Sequence, residues 1–335
     1  MELTIEQAYQ LCRDVLQSNG HSENHAEIMT NVIMYAQLRN PQAGQGFAKL
    51  RSPGMPINEE TGDILIENSG RSFASLKGAG NPGMVVMNHA TNVTLEKMVS
   101  EPIVLVTTRN NNSSVASSST GAIGYFAQRI ADAGYIGIVT SKPSIALVAP
   151  YGSIDRVFST NPIAYGFPSE EGPVVIDLTT ATSSFFQVVE AMKGGESLAS
   201  GLGYDPEGNE TIKPKDIIQG GALKAFGEQR GSAFAYVMES FAAIFGASYA
   251  GQHQDRGWFN MIIAINPNVV EPVDEARKNI SSLNDVIRGT RPSIGNNSVY
   301  VPGDRGTKRM NEQLSTGKIE IDDGLYHNLR NQVQN

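Results

Sequence analysis

Residues 135–168 read YIGIVTSKPSIALVAPYGSIDRVFSTNPIAYGFP, and residues 174–180 read VVIDLTT. The first stretch opens with a β-branched run, Tyr135–Ser141. A loop follows, and then Ser159-Thr160-Asn161-Pro162 leads into a second apolar run. Val174–Leu178 is a third run, and it places Asp177 at the end of an apolar strand with the hydroxyls of Thr179 and Thr180 just beyond. A charge at a buried strand end needs hydrogen-bond partners, which suits an orienting or relay acid. A turn acid capping the next helix has the same spacing, so both readings stand.

Outward from this stretch, short strands at Ile103–Thr107 and Met261–Asn266 alternate with helical stretches at Met84–Met98, Ala122–Ala133, Ser184–Met192 and Ser232–Phe245. The mixture predicts an α/β (α+β) sheet domain over residues 71–269. Residues 1–70 read as a helical unit followed by loop. Thr4 and Gln7 form a capping-box pattern ahead of Ile5, Ala8, Cys12, Val15 and Leu16 at helical spacing. Ser18-Asn19-Gly20 stops that helix, and Ser22 can cap a second one to about Leu38 with Ile28, Met29, Val32, Ile33 and Ala36 on its apolar face. Residues 270–335 are more charged and predict helices near Asp274–Ile287 and Asp323–Val333, packing on the N-terminal unit. Asn110–Ser119 reads as a mobile polar loop.

The chain has 335 residues, 40% hydrophobic and 18% charged, which describes an ordinary globular protein with room for a sizeable core. A formal net charge of −8 without a basic block argues against nucleic acid and anionic membranes as partners. No apolar run approaches the roughly 18–20 residues that span a bilayer. The acidic start Met1-Glu2-Leu3-Thr4-Ile5-Glu6 is wrong for a secretory signal, and the single cysteine, Cys12, fits a reducing compartment. A cytoplasmic protein acting on a small molecule is the expectation.

Gly78-Ala79-Gly80-Asn81-Pro82-Gly83 matches the G-x-G-x-x-G pattern that brings backbone amides to a pyrophosphate. The preceding strand, Phe73–Leu76, is short, Pro82 lacks an N–H, and the next strand ends without the ribose-binding acid. A Gly-rich helix entry is the better reading. The five histidines are scattered, and only His21 and His25 share an i,i+4 spacing, so no metal site is expected. No G-x-S-x-G elbow is present, and the serines of 113–119 have no base partner in sequence.

Several short segments together resemble the malate/L-lactate/sulfolactate dehydrogenase family. They are Gly121-Ala122-Ile123-Gly124-Tyr125, Ser141 through Gly152, Thr160-Asn161-Pro162, Asp177, Asp205 with Gly208, Gly220-Gly221, Arg230-Gly231, Arg256-Gly257 and Val301-Pro302-Gly303-Asp304. That family also includes ureidoglycolate dehydrogenase, diketogulonate reductase and piperideine-2-carboxylate reductase. The resemblance implies a non-Rossmann fold with a mostly antiparallel central sheet flanked by helices and a helical N-/C-terminal domain. It also implies NAD or NADP as cofactor, a homodimer, and a site near domain and subunit interfaces. Ser119, Gly121, Asn161, Thr179, Thr180, Arg230, Gly231, Gly303 and Asp304 are the positions it marks for the cofactor.

The departures fall where the family does its chemistry. The family's Ser-His-Gly triplet is Gly44-Gln45-Gly46 here, after Arg39 and before Lys49. The family's histidine is proposed to protonate the product with the strand-end acid as relay partner; Gln45 and Asp177 hold those places, and Lys49 would anchor a substrate carboxylate. Gln45 can donate a hydrogen bond but cannot exchange a proton near neutral pH. A second family histidine aligns with Ser119, or with Ser113 if the extra residues are placed later. Phe186 and Gln187 replace a Gly-Lys pair, and Arg230 stands for a lysine. The expectation is an NAD(P)H-dependent oxidoreductase with altered proton supply, acting on a small 2-oxo acid or a cyclic imino acid. The competing expectation is a non-redox enzyme or an inactive binding protein in the same cleft.

Overall fold

The computed structural model describes residues 1–51, 61–110, 119–246 and 258–334. The chain begins with β1 (Glu2–Thr4), α1 (Ile5–Ser18) and α2 (Glu23–Arg39). Thr4 and Gln7 close the expected capping box, and Ser22 accepts from His25 N at the start of α2. Met29, Val32, Ile33 and Ala36 of α2 are buried. Two 3-10 turns, Pro41–Ala43 and Phe47–Leu50, follow. Then come β2 (Leu65–Ser69), β3 (Phe73–Lys77), α3 (Gly83–Met98), β4 (Ile103–Asn110), α4 (Gly124–Asp132) and β5 (Ile136–Lys142). β6 (Val148–Ala149), β7 (Ile163–Phe167), β8 (Val174–Leu178) and α5 (Phe185–Gly194) continue the chain. A small lobe holds β9 (Gly203–Tyr204), β10 (Glu210–Thr211), α6 (Pro214–Ile218) and β11 (Ala222–Lys224). The remainder is α7 (Gln229–Gly246), β12 (Trp258–Ile265), α8 (Val273–Arg288), α9 (Asp304–Thr316), β13 (Lys318–Glu320) and α10 (Asp323–Gln334).

The central sheet has seven strands in the order β2-β3-β4-β12-β5-β7-β8. Every pair is antiparallel except β3–β4, which α3 connects as a parallel crossover. The Gly78–Gly83 loop lies in that crossover, but it is closed on itself. Gly78 N donates to Arg109 O, Asn81 N to Gly78 O, and Asn81 Nδ2 to the carbonyls of Gly62 and Gly78. Those engagements fit the entry to α3 and leave few donors for a pyrophosphate.

One face of the sheet packs on α3 and α4, which in turn rest on α2; Val104, Val106, Val139, Ala164, Ile262 and Ala264 join the helices in one core. α7 covers the other face through Ala242 against Phe259 and Met261. The two ends of the chain meet. β1 pairs with β13, setting Leu3 opposite Ile319, and α10 lies on α1. α9, which the apolar pattern did not signal, has no fully buried residue. Polar ties hold it instead: Arg39 Nη1 donates to Thr307 Oγ1 at 2.9 Å and Gln313 Nε2 to Leu38 O at 2.8 Å.

The seat of α4 decides the site. Gly137 on β5 and Gly166 on β7 are cross-strand partners, and α4 presses directly on both. A Cβ on Gly166 would enter the Ala127 carbonyl, and one on Gly137 would stand 3.0 Å from Ile130 Cβ. Gly166→Ala is expected to cost about 1–3 kcal/mol by forcing α4 off the sheet. Urea unfolding measures it, and stability within about 0.5 kcal/mol of the parent would show that α4 does not need this closeness.

Candidate active site

α4 starts where β8 ends, because both lean on the same edge of the sheet. Its Gly124 N donates to Asp177 Oδ2 at 2.8 Å. A carboxylate at a helix N-terminus gains from the amides and the dipole there. A Cβ on Gly124 would lie 2.9 Å from Asp177 Oδ2 and 3.1 Å from Tyr35 Oη, so Tyr35 of α2 also borders this point. Asp177 is exposed at one edge, yet the protein packed around its carboxyl removes water and pushes it up to about 6, against the opposing Gly124 bond. Solvent at the exposed edge restrains that rise. Burial also pushes the Tyr35 phenol up, with the Arg39 guanidinium opposing and Asp177 adding to the rise. Arg39 stacks on the Tyr35 ring at 4.8 Å and donates to Gln128 Oε1 at 2.7 Å.

The loop that carries Gln45 is clamped from two sides. Gly44 has φ +72°, and a Cβ there would stand 2.7 Å from Phe186 Cβ; a Cβ on Gly46 would collide with Gln37 of α2. Gln37 Oε1 accepts from Phe47 N at 2.9 Å, and Ser184 Oγ donates to Ala43 O at 3.2 Å. Both glycines are therefore required by close packing. Gln45 between them is half-buried and makes no hydrogen bond to another described residue.

Lys49 is the most unusual group in the site. It is 4% exposed, its Nζ donates to Ser119 Oγ at 2.5 Å, and it sits 3.9 Å from the centre of the Phe186 ring. No carboxylate among the described residues lies within ion-pair distance of it. Burial alone lowers its ammonium to about 7. Ser119 is itself buried and accepts weakly from Gly121 N at 3.5 Å, while Gly121 has φ +70° with Val32 and Met84 where a Cβ would go. Thus Lys49, Ser119, Gly121 and Phe186 form one cluster. Phe186 and Gln187 have a local cause as well: Gln187 is the third residue of α5 and closes a capping box with Ser184.

The remaining sequence candidates divide by their contacts. Thr179 Oγ1 and Thr180 Oγ1 donate to Thr160 O at 2.6 and 3.1 Å, so only their acceptor capacity is left. Asn161 is fully buried at φ +36° and donates to Glu239 Oε1 at 3.0 Å and Ala235 O at 3.3 Å, tying the strand entry to α7. Gly231 packs directly on the backbone of Phe226, whereas Arg230 beside it is exposed, with no partner among the described residues. Gly303 has φ +91° against the Val175 backbone. Asp304 is taken up by Arg288 at 2.8 and 3.1 Å and by Val301 N at 2.9 Å, which hold its carboxyl below the usual range. A phosphate-bearing cofactor fits the exposed cation of Arg230; the Thr179 oxygen, which already accepts from Ala181 N at 3.2 Å, suits a ribose hydroxyl and not a phosphate oxygen, and Asp304 does not fit because its oxygens are engaged.

Glu239 and Lys142 escaped the sequence reading. Both are buried beside Asn161, and burial lowers the Lys142 ammonium with Glu239 opposing. A signal existed, because Glu239 is the only charge in residues 231–246. Ser113, Arg256-Gly257, His253, the loop reading over 111–118 and Pro53, Gly54 and Pro56 lie outside the described residues.

Comparison with known proteins bears on this arrangement. A family model described as malate/L-lactate dehydrogenase matches residues 3–330. The malate/(S)-sulfolactate dehydrogenase of Methanothermus fervidus is 28% identical over 343 residues, covering 98% of this chain and 96% of that protein. A Δ1-pyrroline-2-carboxylate/Δ1-piperideine-2-carboxylate reductase of Pseudomonas putida is 26% identical over 277 residues, 78% of each chain. The solved sulfolactate dehydrogenase of Methanocaldococcus jannaschii matches with a TM-score of 0.83 at 25% identity, covering 100% of this chain and 97% of that one.

The buried ammonium sets a pH dependence of stability. Between about 7, its folded value, and its ordinary 10.5, the unfolded chain holds the Lys49 proton and the folded chain does not. Stability therefore rises with pH across that window, and below it the burial cost is felt in full. Lys49→Met is expected to be more stable than the parent near pH 6. Its advantage shrinks by about 1.4 kcal/mol for each whole step in pH from roughly 7 towards 10. Urea midpoints at about pH 6, 8 and 10 test this; a difference independent of pH contradicts it.

Proposed function

The chain belongs to the malate/L-lactate dehydrogenase family, and from that premise we propose that it is an NAD- or NADP-dependent oxidoreductase of a small 2-oxo acid or cyclic imino acid. The observation that carries the reading is the Lys49–Ser119 pair. It is a buried cation with no carboxylate partner among the described residues; Ser119 stands on the segment whose Gly124 amide holds Asp177, and the Phe186 ring beside it belongs to the residue that meets Gly44 of the Gln45 loop. Such a cation suits a small anionic substrate better than a structural role. A reduced nicotinamide supplies hydride when bound; Arg230 would hold its phosphate and Thr179 would accept from a ribose. Gln45 orients but does not protonate, so the proton handling differs from a histidine-based site. A reducing compartment such as the cytoplasm suits the single buried Cys12.

A second reading rests on Phe186, whose ring covers the Lys49 ammonium and whose Cβ closes on Gly44. A cleft filled in this way suits a non-redox enzyme or a binding protein. Cofactor titration separates the two. NADH or NADPH is expected to bind below millimolar concentration, with Arg230→Ala weakening it roughly tenfold through loss of a charge-assisted contact. Oxidation of one of them is expected in the presence of a 2-oxo acid or a cyclic imino acid. No binding of either at millimolar concentration overturns the oxidoreductase reading and favours the second.

A homodimer is part of the proposal. α7 leaves Phe234, Tyr236, Val237, Ile244 and Phe245 between 42% and 72% exposed, with Arg230 its only exposed charge. An apolar face of this kind is covered in a stable assembly, and a second copy supplies the same face by symmetry. Ile244→Glu is expected to yield monomers in sedimentation while far-ultraviolet dichroism stays unchanged. A monomeric parent protein overturns the assembly.

A further inference from the structure

Hydride addition to a neutral ketone leaves charge on oxygen, and a positioned acid must neutralise it. Gln45 has no proton to give, Asp177, raised only to about 6, is mostly ionised at neutral pH and accepts from Gly124 N, and Tyr35 is driven further from ionising by burial. We propose that Lys49 is the catalytic acid of this site, its Nζ protonating the carbonyl oxygen of a small 2-oxo acid. The inference rests on the oxidoreductase reading and gives Lys49 a different task from the carboxylate anchor that the sequence suggested.

Geometry carries the proposal. Nζ is enclosed, with Ser119 Oγ at 2.5 Å as its one hydrogen-bond partner among the described residues and the Phe186 ring at 3.9 Å. Neither contact delocalises or neutralises the charge as a carboxylate would. Among the described residues no charged group on α1, α2 or α10 forms an ion pair with Nζ. Arg13 pairs with Glu27 across α1 and α2, Arg39 bonds Gln128 and Thr307, and Arg51 pairs with Glu190 of α5 at 2.5 Å. On α10, Asp323 takes the N-terminal ammonium, and His327 meets the Tyr326 ring edge-on. Burial is the cause of the lowered ammonium value near 7, which places proton release in the working range of pH.

The step balances. The carbonyl π bond breaks as hydride from a reduced nicotinamide forms the C–H bond with two electrons. The oxygen takes a proton from Nζ and becomes a hydroxyl. Lys49 is left as a neutral amine and regains its proton from water by way of the Ser119 hydroxyl. The nicotinamide is oxidised and the 2-oxo acid is reduced to a 2-hydroxy acid. A cyclic iminium already carries its proton and asks nothing of Lys49 in this step.

The test compares pyruvate with Δ1-piperideine-2-carboxylate for the parent protein, Lys49→Met and Lys49→Arg, each with NADPH and NADH from about pH 5.5 to 9. Ketone turnover of the parent is expected to fall above about pH 7. Lys49→Met is expected to lower ketone kcat by about 10²–10⁴-fold, with an imine loss smaller by about two orders of magnitude. Lys49→Arg retains the charge but not a releasable proton, so its ketone kcat stays low while KM stays near the parent value. A readout free of turnover is carbon-13 NMR of Cε-labelled lysine in the uncomplexed protein: one signal titrating near neutral pH, absent from Lys49→Met. A parallel rise in KM for both substrates, or ketone turnover surviving in either variant, shows an anchor and overturns the role alone. A Lys49 signal titrating near 10 overturns it as well. No turnover of either substrate by the parent overturns the oxidoreductase reading and this role with it.

Discussion

The contact between α4 and the paired glycines Gly137 and Gly166 is the constraint on which the site depends. A helix lying over ordinary side chains sits some ångströms higher above a sheet, because packed interiors leave no slack. Here the absence of two side chains lowers α4 until its first turn meets the end of β8, where Gly124 N reaches Asp177. The same lowering allows α2 to rest on α4, so that Tyr35 and Arg39 face this turn. One packing decision in the sheet thus fixes the acid, its amide donor and the phenol beside it.

A different force positions Lys49. The glycines at 44 and 46 allow the loop to sink between α2 and α5, and the lysine goes down with it. Cation–π contact with Phe186 and one bond to Ser119 offset part of the lost hydration, but a cation–π contact gives only about 2 kcal/mol when desolvated. The remainder appears as the lowered ammonium value, near 7. Burial of the charge and readiness to release its proton are therefore one physical fact. Asp177 is moved in the opposite direction, to about 6, by the same withdrawal of water. An acid and an amine of ordinary type are both brought towards the neutral range by a single cause.

Much of the fold was legible because its elements carry local signals. Thr4 with Gln7 and Ser22 fixed two helix starts, and the β-branched runs read at 103–107, 135–141, 174–178 and 261–266 fall on β4, β5, β8 and β12 of the sheet. α9 was invisible because its stability comes from Arg39, Gln313 and Asp304 bonds that no hydrophobic period records. The site was legible only in part, for a similar reason. Spacing and family resemblance marked Asp177, Ser119 and Lys49, yet nothing local says that Lys49 points inward or that Asp304 is held by Arg288. Those facts depend on segments 70 residues apart and on helix docking, which a single sequence does not encode as a pattern. Phe186-Gln187 shows the converse: a pair that the resemblance singled out has an ordinary local role, because Gln187 closes the capping box at the start of α5.

The buried lysine also weighs on whether chemistry persists. Replacing a buried ion by an apolar side chain of similar volume is commonly neutral or stabilising by about 1–4 kcal/mol. In a protein only modestly above its stability threshold, a residue with that cost and no role is among the easiest to lose. Lys49 could be a methionine without altering the Gly44 or Gly46 contacts, since neither involves its ammonium. The Ser119 hydroxyl does not require it either, because Gly121 N already approaches that oxygen. What a methionine could not do is present an exchangeable proton in a water-poor interior. The cost is intelligible if the proton is used, which weighs for a working site over a binding cleft with its chemistry gone.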